Sequence, residues 1–523
     1  MIHIQDLSLS IHGTPILNGL SLTIEEGTVF GLVGESGSGK SMTALALMQL
    51  APEGSSISGQ AKLDGQELLG MSEAEICALR GNDIAMIFQE PMTALNPVQT
   101  IGDQVAEALL IHGAASKSEA QAIAREKLDR VGLSHIGADR YPHELSGGQR
   151  QRVCIAAAIA LRPRLLIADE PTTALDVTTQ AEILRLLRGL VAEDGMSLML
   201  ITHDLAVISE AADHVAVMQK GVIVEQGPVA QVLAEQSHPY TRALFAASGH
   251  QPDRVEQLAP EPLLSLRDVV RTYAGPRQGF KRGAPLRAVD GVSFDLHKGE
   301  SLGLVGESGC GKSTLTRAIL GLDPIQGGDI HLFGESIIPV MPAHLRQGIS
   351  VVFQDPYGSF NPRWKVDRLI SEPFHLLAER PSATQARERV AEALRAVQLS
   401  PDDMTKYPHE FSGGQRQRIA IARALITQPR ILVLDEAVSA LDVSVRARIL
   451  DLLAELQGQL QLSYLFISHD LSVVRAITDR VLVMQKGKIV EQATTEAIFT
   501  SPQSAYTQSL LEAAPKLSAA MGG

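Results

Sequence analysis

The stretch GLVGESGSGKS, Gly31–Ser41, returns later in the chain as GLVGESGCGKS, Gly303–Ser313. Each copy follows an apolar run, Val29 to Val33 and Leu302 to Val305, and leads into a helix-like segment. The shared pattern Gly-x4-Gly-Lys-Ser is that of a phosphate-binding loop. Glycines let the backbone curl so that successive N–H groups point at an anion, and the helix start adds a favourable dipole. On this reading Gly34, Glu35, Ser36, Gly37, Ser38 and Gly39 cradle phosphates, Lys40 reaches the β- and γ-phosphates, and Ser41 offers its hydroxyl to Mg²⁺. Gly306, Glu307, Ser308, Gly309, Cys310, Gly311, Lys312 and Ser313 repeat the set. A single loop also reads as a glycine-rich turn; two in register favour phosphate. Cys310 reads as a small residue in place of Ser38, or as a redox-sensitive thiol.

Outward from these loops the whole chain repeats. IFQEPMTALNP (Ile87 to Pro97) returns as VFQDPYGSFNP (Val352 to Pro362), and YPHELSGGQRQR (Tyr141 to Arg152) as YPHEFSGGQRQR (Tyr407 to Arg418). LLIADEPTTALDV returns as ILVLDEAVSALDV, and ITHDL as ISHDL. Lys312 lies 272 residues after Lys40, whereas Gln354 follows Gln89 by 265 and Ser412 follows Ser146 by 266. The second copy is therefore about seven residues shorter between loop and FQ element, and in step afterwards. Such self-similarity means two tandem homologous domains. We place them at 1–250 and 264–523, joined by a Pro-containing, acidic linker at 251–263. Each domain opens with alternating apolar residues (Ile2, Ile4, Leu7) that read as strand, continues through a helical region (Ile101 to Val131; Val366 to Val397), and closes with strand–helix units. The expected fold class is α/β, with a helical insertion in each half and a small C-terminal extension.

Composition narrows the class. At 523 residues, 45% hydrophobic and 20% charged, the chain is an ordinary globular protein. Its net charge of −13 argues against a nucleic-acid partner, whose phosphates demand Lys and Arg. Three cysteines, Cys77, Cys154 and Cys310, make neither a disulfide framework nor a four-Cys metal site. The longest strongly apolar run, Val153 to Leu161, has nine residues, against about 20 for a bilayer span. The N-terminus lacks the pattern of a signal peptide.

Two aliphatic strands end in acids: Leu165 to Ala168 before Asp169-Glu170, and Ile431 to Leu434 before Asp435-Glu436. Buried strands of an open α/β sheet present such ends to ligands at their carboxyl edge. The aspartates are expected to hold Mg²⁺, and Glu170 and Glu436 to polarise the attacking water as general bases. An acidic helix cap is the plainer alternative for either pair alone. Gln89 and Gln354, each after an apolar strand, are placed to touch Mg²⁺ and the water. His203 and His469, ending another strand in the same T/S-H-D context, are assigned to the γ-phosphate.

Leu145–Gln149 (LSGGQ) and Phe411–Gln415 (FSGGQ) make the resemblance specific. Together with phosphate loop, FQ, aliphatic-DE, ALD and HD in series, they resemble the signature of ABC transporter ATPases, over both halves. The resemblance implies ATP and Mg²⁺ as ligands. It further implies that Ser146, Gly147 and Gly148 cap the nucleotide bound at Lys312, and Ser412, Gly413 and Gly414 that at Lys40, so that the cassettes pair within one chain. Within that family EPMTALNP (Glu90 to Pro97) and HPYTRAL (His238 to Leu244) are similar to the ATP-binding subunits of bacterial dipeptide and oligopeptide importers, including fusions serving microcin C and glutathione.

That likeness implies two transmembrane permeases docked on the helical regions, an extracytoplasmic solute-binding protein, and a peripheral position on the cytoplasmic face of the inner membrane. An aromatic residue that stacks adenine is matched by Tyr273; the aligned first-copy residue is Ile11, followed by His12. Relatives with an iron–sulfur cluster carry several cysteines in the C-terminal region, where this chain has none, so no cluster is expected. The basic insertion Gly275 to Arg287 reads as a solvated loop or as a contact for permease or lipid headgroups. The competing readings are a soluble twin-cassette ATPase acting on ribosomes, which would carry a long charged helical linker, and a DNA-repair ATPase, which would carry zinc-binding cysteines.

Overall fold

Fully apolar and alternating runs fold into two different sheets in each half of the chain. The structure, a computed structural model, describes residues 1–173, 175–254, 259–275, 277–278, 281–439 and 441–515. The chain divides into two compact units, Met1–Ser248 and Gly249–Ala514. In the first, Val222–Pro228, His214–Gln219, Val29–Val33, Ser197–Thr202, Leu165–Asp169 and Ile84–Ile87 form a six-stranded sheet in that order. It is parallel except for the Val222–Pro228 edge. Val29–Val33, Leu165–Asp169 and Ser197–Thr202 are buried along their whole length. That is why they read as unbroken apolar runs: a parallel sheet is covered on both faces. Since all three run the same way, the phosphate loop, the acidic pair and His203 emerge at one edge.

The alternating N-terminal strands form a four-stranded antiparallel sheet, Thr14–Ile24, Ile2–Ile11, Ser55–Leu63 and Gln66–Glu67. Ile2 and Ile4 face inward, and so do Leu7 and Leu9, out of phase by one residue. A bulge between Gln5 and Ser8, with Asp6 at φ 51°, absorbs the slip. The two sheets share one core that takes in Leu47 of the Lys40–Leu47 helix. The helix carrying Lys40 is thus clamped between layers.

The second unit repeats this plan. Its six-stranded sheet runs Ile349–Val352, Ile431–Asp435, Ser463–Ile467, Ser301–Val305, Arg480–Gln485, Lys488–Thr494, beside Leu286–Lys298, Ala259–Tyr273, Gly327–Leu332 and Glu335–Ser336. The same bulge recurs, with Asp268 at φ 48°. In the 251–263 segment Val255 to Leu258 lie outside the described residues. Arg254 pairs with Asp479 at 3.0 Å, and a strand begins at Ala259. In the basic insertion Arg277–Gln278 pairs antiparallel with Lys281–Arg282. The side chains of Arg277, Lys281 and Arg282, on which the reading of that insertion depends, lie outside what is described.

Both helical regions are present, and each is broken. The first is Ile101–Ile111 followed by Lys117–Arg130. Gly113 at φ 62° ends one helix, and Ser116 with Glu119 forms a capping box that starts the next. The second is Val366–Ser371, a 3₁₀ turn over Glu372–Leu376, then Ala383–Ala396. Pro373 lacks the N–H that would continue an α-helix. Among the described residues no helix is long and apolar enough to cross a membrane.

Candidate active sites

Each phosphate loop is closed on itself by its lysine. Lys40 Nζ donates to the carbonyl oxygens of Gly34 (2.7 Å) and Glu35 (2.9 Å); Lys312 Nζ donates to Gly306 (2.6 Å) and Glu307 (2.9 Å). Both lysines are almost fully buried, 5% and 6% exposed, at a helix start. Glycine is required in the loop: a Cβ on Gly39, at φ 105°, would lie 2.7 Å from Leu17 Cδ2, and one on Gly311, at φ 114°, 2.1 Å from the Ala288 carbonyl oxygen. Ser38 and Cys310 occupy equivalent buried positions, 4% and 7% exposed. Burial pushes the Cys310 thiol up, against the opposing Lys312 charge, so it stays protonated at neutral pH. Cys154 is pushed up to about 12, also by burial, while Cys77 is exposed. We expect iodoacetamide to modify Cys77 first and to leave Cys154, Cys310 and ATPase activity intact. Loss of activity in step with Cys310 modification, followed by mass spectrometry, would restore the redox reading.

The acids at the strand ends behave oppositely within each pair. Asp169 is 5% exposed, and its Oδ1 meets no hydrogen-bond partner among the described residues. Burial raises its pKa, the Ser41 hydroxyl lowers it, Glu170 raises it and Lys40 lowers it, with a net rise. Asp435 is pushed up to about 6 by burial and by Glu436, against Lys312. A buried carboxylate oxygen with no donor is an unfilled acceptor, and the oxygen-rich set around it suits a hard cation.

Glu170 is held the other way. Burial pushes its carboxyl up, but the His203 ring, the Thr173 hydroxyl and Lys40 outweigh that and hold it at about 2. Its Oε2 accepts from Gln89 Nε2 at 2.8 Å and Thr173 Oγ1 at 2.9 Å, and its Oε1 lies 3.1 Å from His203 Nδ1. The backbone there has φ 48°, and Glu436 has φ 52°. A left-handed non-glycine residue at a strand's end marks a place where strain re-aims a side chain. In the second unit Glu436 Oε1 lies 3.3 Å from His469 Nδ1. Its carboxyl is pushed up by burial and held down by His469 and Lys312, with a net lowering. Two donors differ: Ser439 Oγ turns to the Glu436 carbonyl oxygen at 2.9 Å, and among the described residues no hydrogen bond joins Gln354 to Glu436. The two sets of Gln, Asp, Glu and His match in composition and differ in how tightly the glutamate carboxylate is held.

Ser146 and Ser412 are exposed N-caps of the Gly147–Ala158 and Gly413–Leu425 helices, each in a capping box with Gln149 or Gln415. A Cβ on Gly148 would stand 2.5 Å from Thr179 Cγ2, and one on Gly414 2.4 Å from Val445 Cγ1. The second glycine of each motif is therefore needed for close helix packing. Tyr273 ends its strand with Arg271 stacked 4.5 Å over the ring and its hydroxyl donating to Asp323 Oδ2 at 3.1 Å. Ile11 ends the first unit's matching strand, and His12 follows at φ 49°. One contact was not read from the sequence. The Glu35 N–H donates to the hydroxyl of Tyr240 and the Glu307 N–H to that of Tyr506, each at 3.1 Å. The HPYT element was visible, but as a family mark rather than a part of the site.

Comparison with known proteins shows the family. The model of the ABC transporter family matches residues 17–173 and 289–439, and that of the oligopeptide/dipeptide transporter C-terminal region matches 224–261 and 490–522. The chain is 47% identical to a peptidoglycan transport ATP-binding protein, YejF, of Agrobacterium fabrum, over 98% of this chain and 96% of that one. It is 46% identical to the glutathione import ATP-binding protein GsiA of Escherichia coli K12, over 95% and 86%. Among solved structures, a dimeric ATP-binding cassette in a post-hydrolysis state with ADP and Pi is 30% identical, covering 44% of this chain and 99% of that one, with a TM-score of 0.40. The chain belongs to the ABC transporter family, as an ATP-binding and ATP-hydrolysing protein with two cassettes in one polypeptide.

Proposed function

We propose that this chain energises a bacterial importer of peptides or related small solutes, working on two transmembrane permeases fed by an extracytoplasmic solute-binding protein. The observation that carries the proposal is the oligopeptide/dipeptide-type C-terminal region, which follows both cassettes. The full-length likeness to peptidoglycan and glutathione transport proteins supports it. The chain would sit peripherally on the cytoplasmic face of the inner membrane. Exposed apolar side chains by the first helical region, Val98 (78%) and Ile111 (74%), suit contact with a permease.

In each cassette the loop backbone and Lys40 or Lys312 bind the triphosphate. The Lys must leave its two carbonyl partners to do so. Glu170 and Glu436, ionised, accept the proton of the attacking water. His203 and His469 orient those carboxylates through Nδ1 and are assigned to the γ-phosphate. Tyr273 stacks adenine in the second cassette. Ser41, Asp169 and Gln89, and likewise Ser313, Asp435 and Gln354, fit a bound Mg²⁺. When bound it neutralises charge on the phosphate oxygens. The signature serines and glycines, Ser146–Gly148 and Ser412–Gly414, serve the other cassette's nucleotide, and one chain supplies both partners at high effective concentration.

Reconstitution tests the proposal. Vesicles carrying this chain with its two permeases should take up dipeptide or glutathione only with ATP inside and the binding protein outside. Full uptake without a permease partner, or recovery of the chain on ribosomes rather than membranes, would sink it.

A further inference from the structure

Neither phosphate loop is shaped by its catalytic elements alone. Tyr240 and Tyr506, which receive the N–H groups of Glu35 and Glu307, stand in the segment after the last strand of each unit. Their seats are built alike. Glu225 accepts the backbone N–H groups of Ser237 (2.8 Å) and His238 (3.0 Å); Glu491 accepts those of Gln503 (2.8 Å) and Ser504 (3.0 Å). Each carboxylate fixes the turn that starts the tyrosine-bearing helix, Pro239–Ser248 or Ala505–Ala513. The threonines beside them, Thr241 and Thr507, are 0% and 1% exposed. The tyrosine hydroxyls are therefore aimed, not adventitious.

Glu35 is the pivot of the first loop. Its N–H goes to Tyr240, while its carbonyl oxygen takes Lys40 Nζ at 2.9 Å and the Ser38 N–H at 3.2 Å. Glu307 does the same with Tyr506, Lys312 Nζ at 2.9 Å and the Cys310 N–H at 3.3 Å. One residue thus links a C-terminal hydroxyl to the lysine assigned to the β- and γ-phosphates.

We infer that Tyr240 and Tyr506 are positioning residues for nucleotide binding, each holding its phosphate loop in the receptive shape, so that the C-terminal segment of a cassette sets that cassette's affinity for ATP. The inference rests on the assignment of the two loops to phosphate. Without the hydroxyl the Glu35 N–H loses its partner and the loop spends time in other shapes. Apparent affinity then falls in proportion to the receptive fraction. At saturating ATP the loop is held by the triphosphate itself, and Glu170 and His203 are untouched, so kcat is spared.

The test uses the full chain and a fluorescent ATP analogue, with Y240F, Y506F, their double variant, L244A and K40A/K312A. Each phenylalanine keeps the ring and loses only the hydroxyl. We expect Y240F/Y506F to weaken binding about fivefold at each site, the equivalent of about 1 kcal/mol. KM should rise in parallel, with kcat and the unfolding temperature unchanged. Leu244, 2% exposed in the Tyr240 helix, is the structural control: L244A should lower the unfolding temperature and spare affinity. Unchanged affinity in Y240F/Y506F, with binding lost in K40A/K312A, overturns the inference alone. So does L244A if it weakens binding as much as Y240F. Undiminished binding in K40A/K312A sinks the loop assignment, and the inference with it.

Discussion

Changing both strand-end glutamates, Glu170→Gln with Glu436→Gln, stops ATP turnover and leaves ATP binding in place. The expected fall in kcat is on the order of 10²- to 10⁴-fold, the usual contribution of a positioned general base. Glutamine keeps the shape of the side chain and one acceptor oxygen, so Gln89 or Thr173 can still donate to residue 170, but it cannot take the proton of the attacking water. Ionisation of the carboxyl decides the effect. Glu170 is held at about 2, so it is ionised throughout the working range, and the acid limb of any pH–rate profile cannot come from its protonation. Held below its ordinary value of 4.5, its charged form also stabilises the folded cassette at neutral pH; that contribution drains away as pH falls from about 4.5 toward 2. Single variants should differ. Glu170 is gripped by Gln89, Thr173 and His203, whereas Glu436 has His469 alone at its carboxylate among these partners. If tight holding orients the base, Glu170→Gln takes the larger share of turnover. Steady-state hydrolysis and nucleotide titration of the three variants check this; turnover within tenfold of wild type in the double variant would rule out the assigned role.

Much of this arrangement was legible because it depends on residue type. Unbroken runs such as Leu165 to Ala168 announce strands covered on both faces, and the acids after them must emerge at the ligand edge. The constant spacing of the later motifs announces the repeat. What stayed hidden depends on backbone groups, which every residue supplies. The seats of Tyr240 and Tyr506 use the N–H groups of Ser237, His238, Gln503 and Ser504, so HPYT could drift to Ser504-Ala505-Tyr506-Thr507 while the hydrogen bonds stayed. The break in each helical region was signalled by Gly113, Ser116 and Pro373, but apolar periodicity on both sides masked it. The difference between the two strand-end glutamates was hidden for another reason. Thr173 and Ser439 carry the same chemistry, and only the fold shows one hydroxyl on the carboxylate and the other on the backbone.

Removing both loop lysines, Lys40→Ala with Lys312→Ala, should weaken ATP binding itself by at least about 30-fold, not turnover alone. Each lysine is nearly buried, and its ammonium donates to two loop carbonyls. The carbonyls offer the ammonium only dipoles, whereas a triphosphate offers full negative charge, so the lysine exchanges partners at a gain. Truncating one partner of a desolvated charge pair costs about 2–5 kcal/mol, which is roughly 30- to several-thousand-fold in affinity. Arginine should not rescue it. Its broad planar fork cannot take the place of a compact ammonium that is 5% or 6% exposed and donates to two adjacent loop carbonyls. The folded cassettes should survive, because the sheets and their shared core do not depend on the ammonium. The measurement is titration with a fluorescent ATP analogue beside a melting curve. Binding within threefold of wild type, in a protein that melts normally, would mean that the repeated GESGxGKS loops do not hold phosphate. The electrostatic pull of each buried lysine on its strand-end acids would then need another explanation.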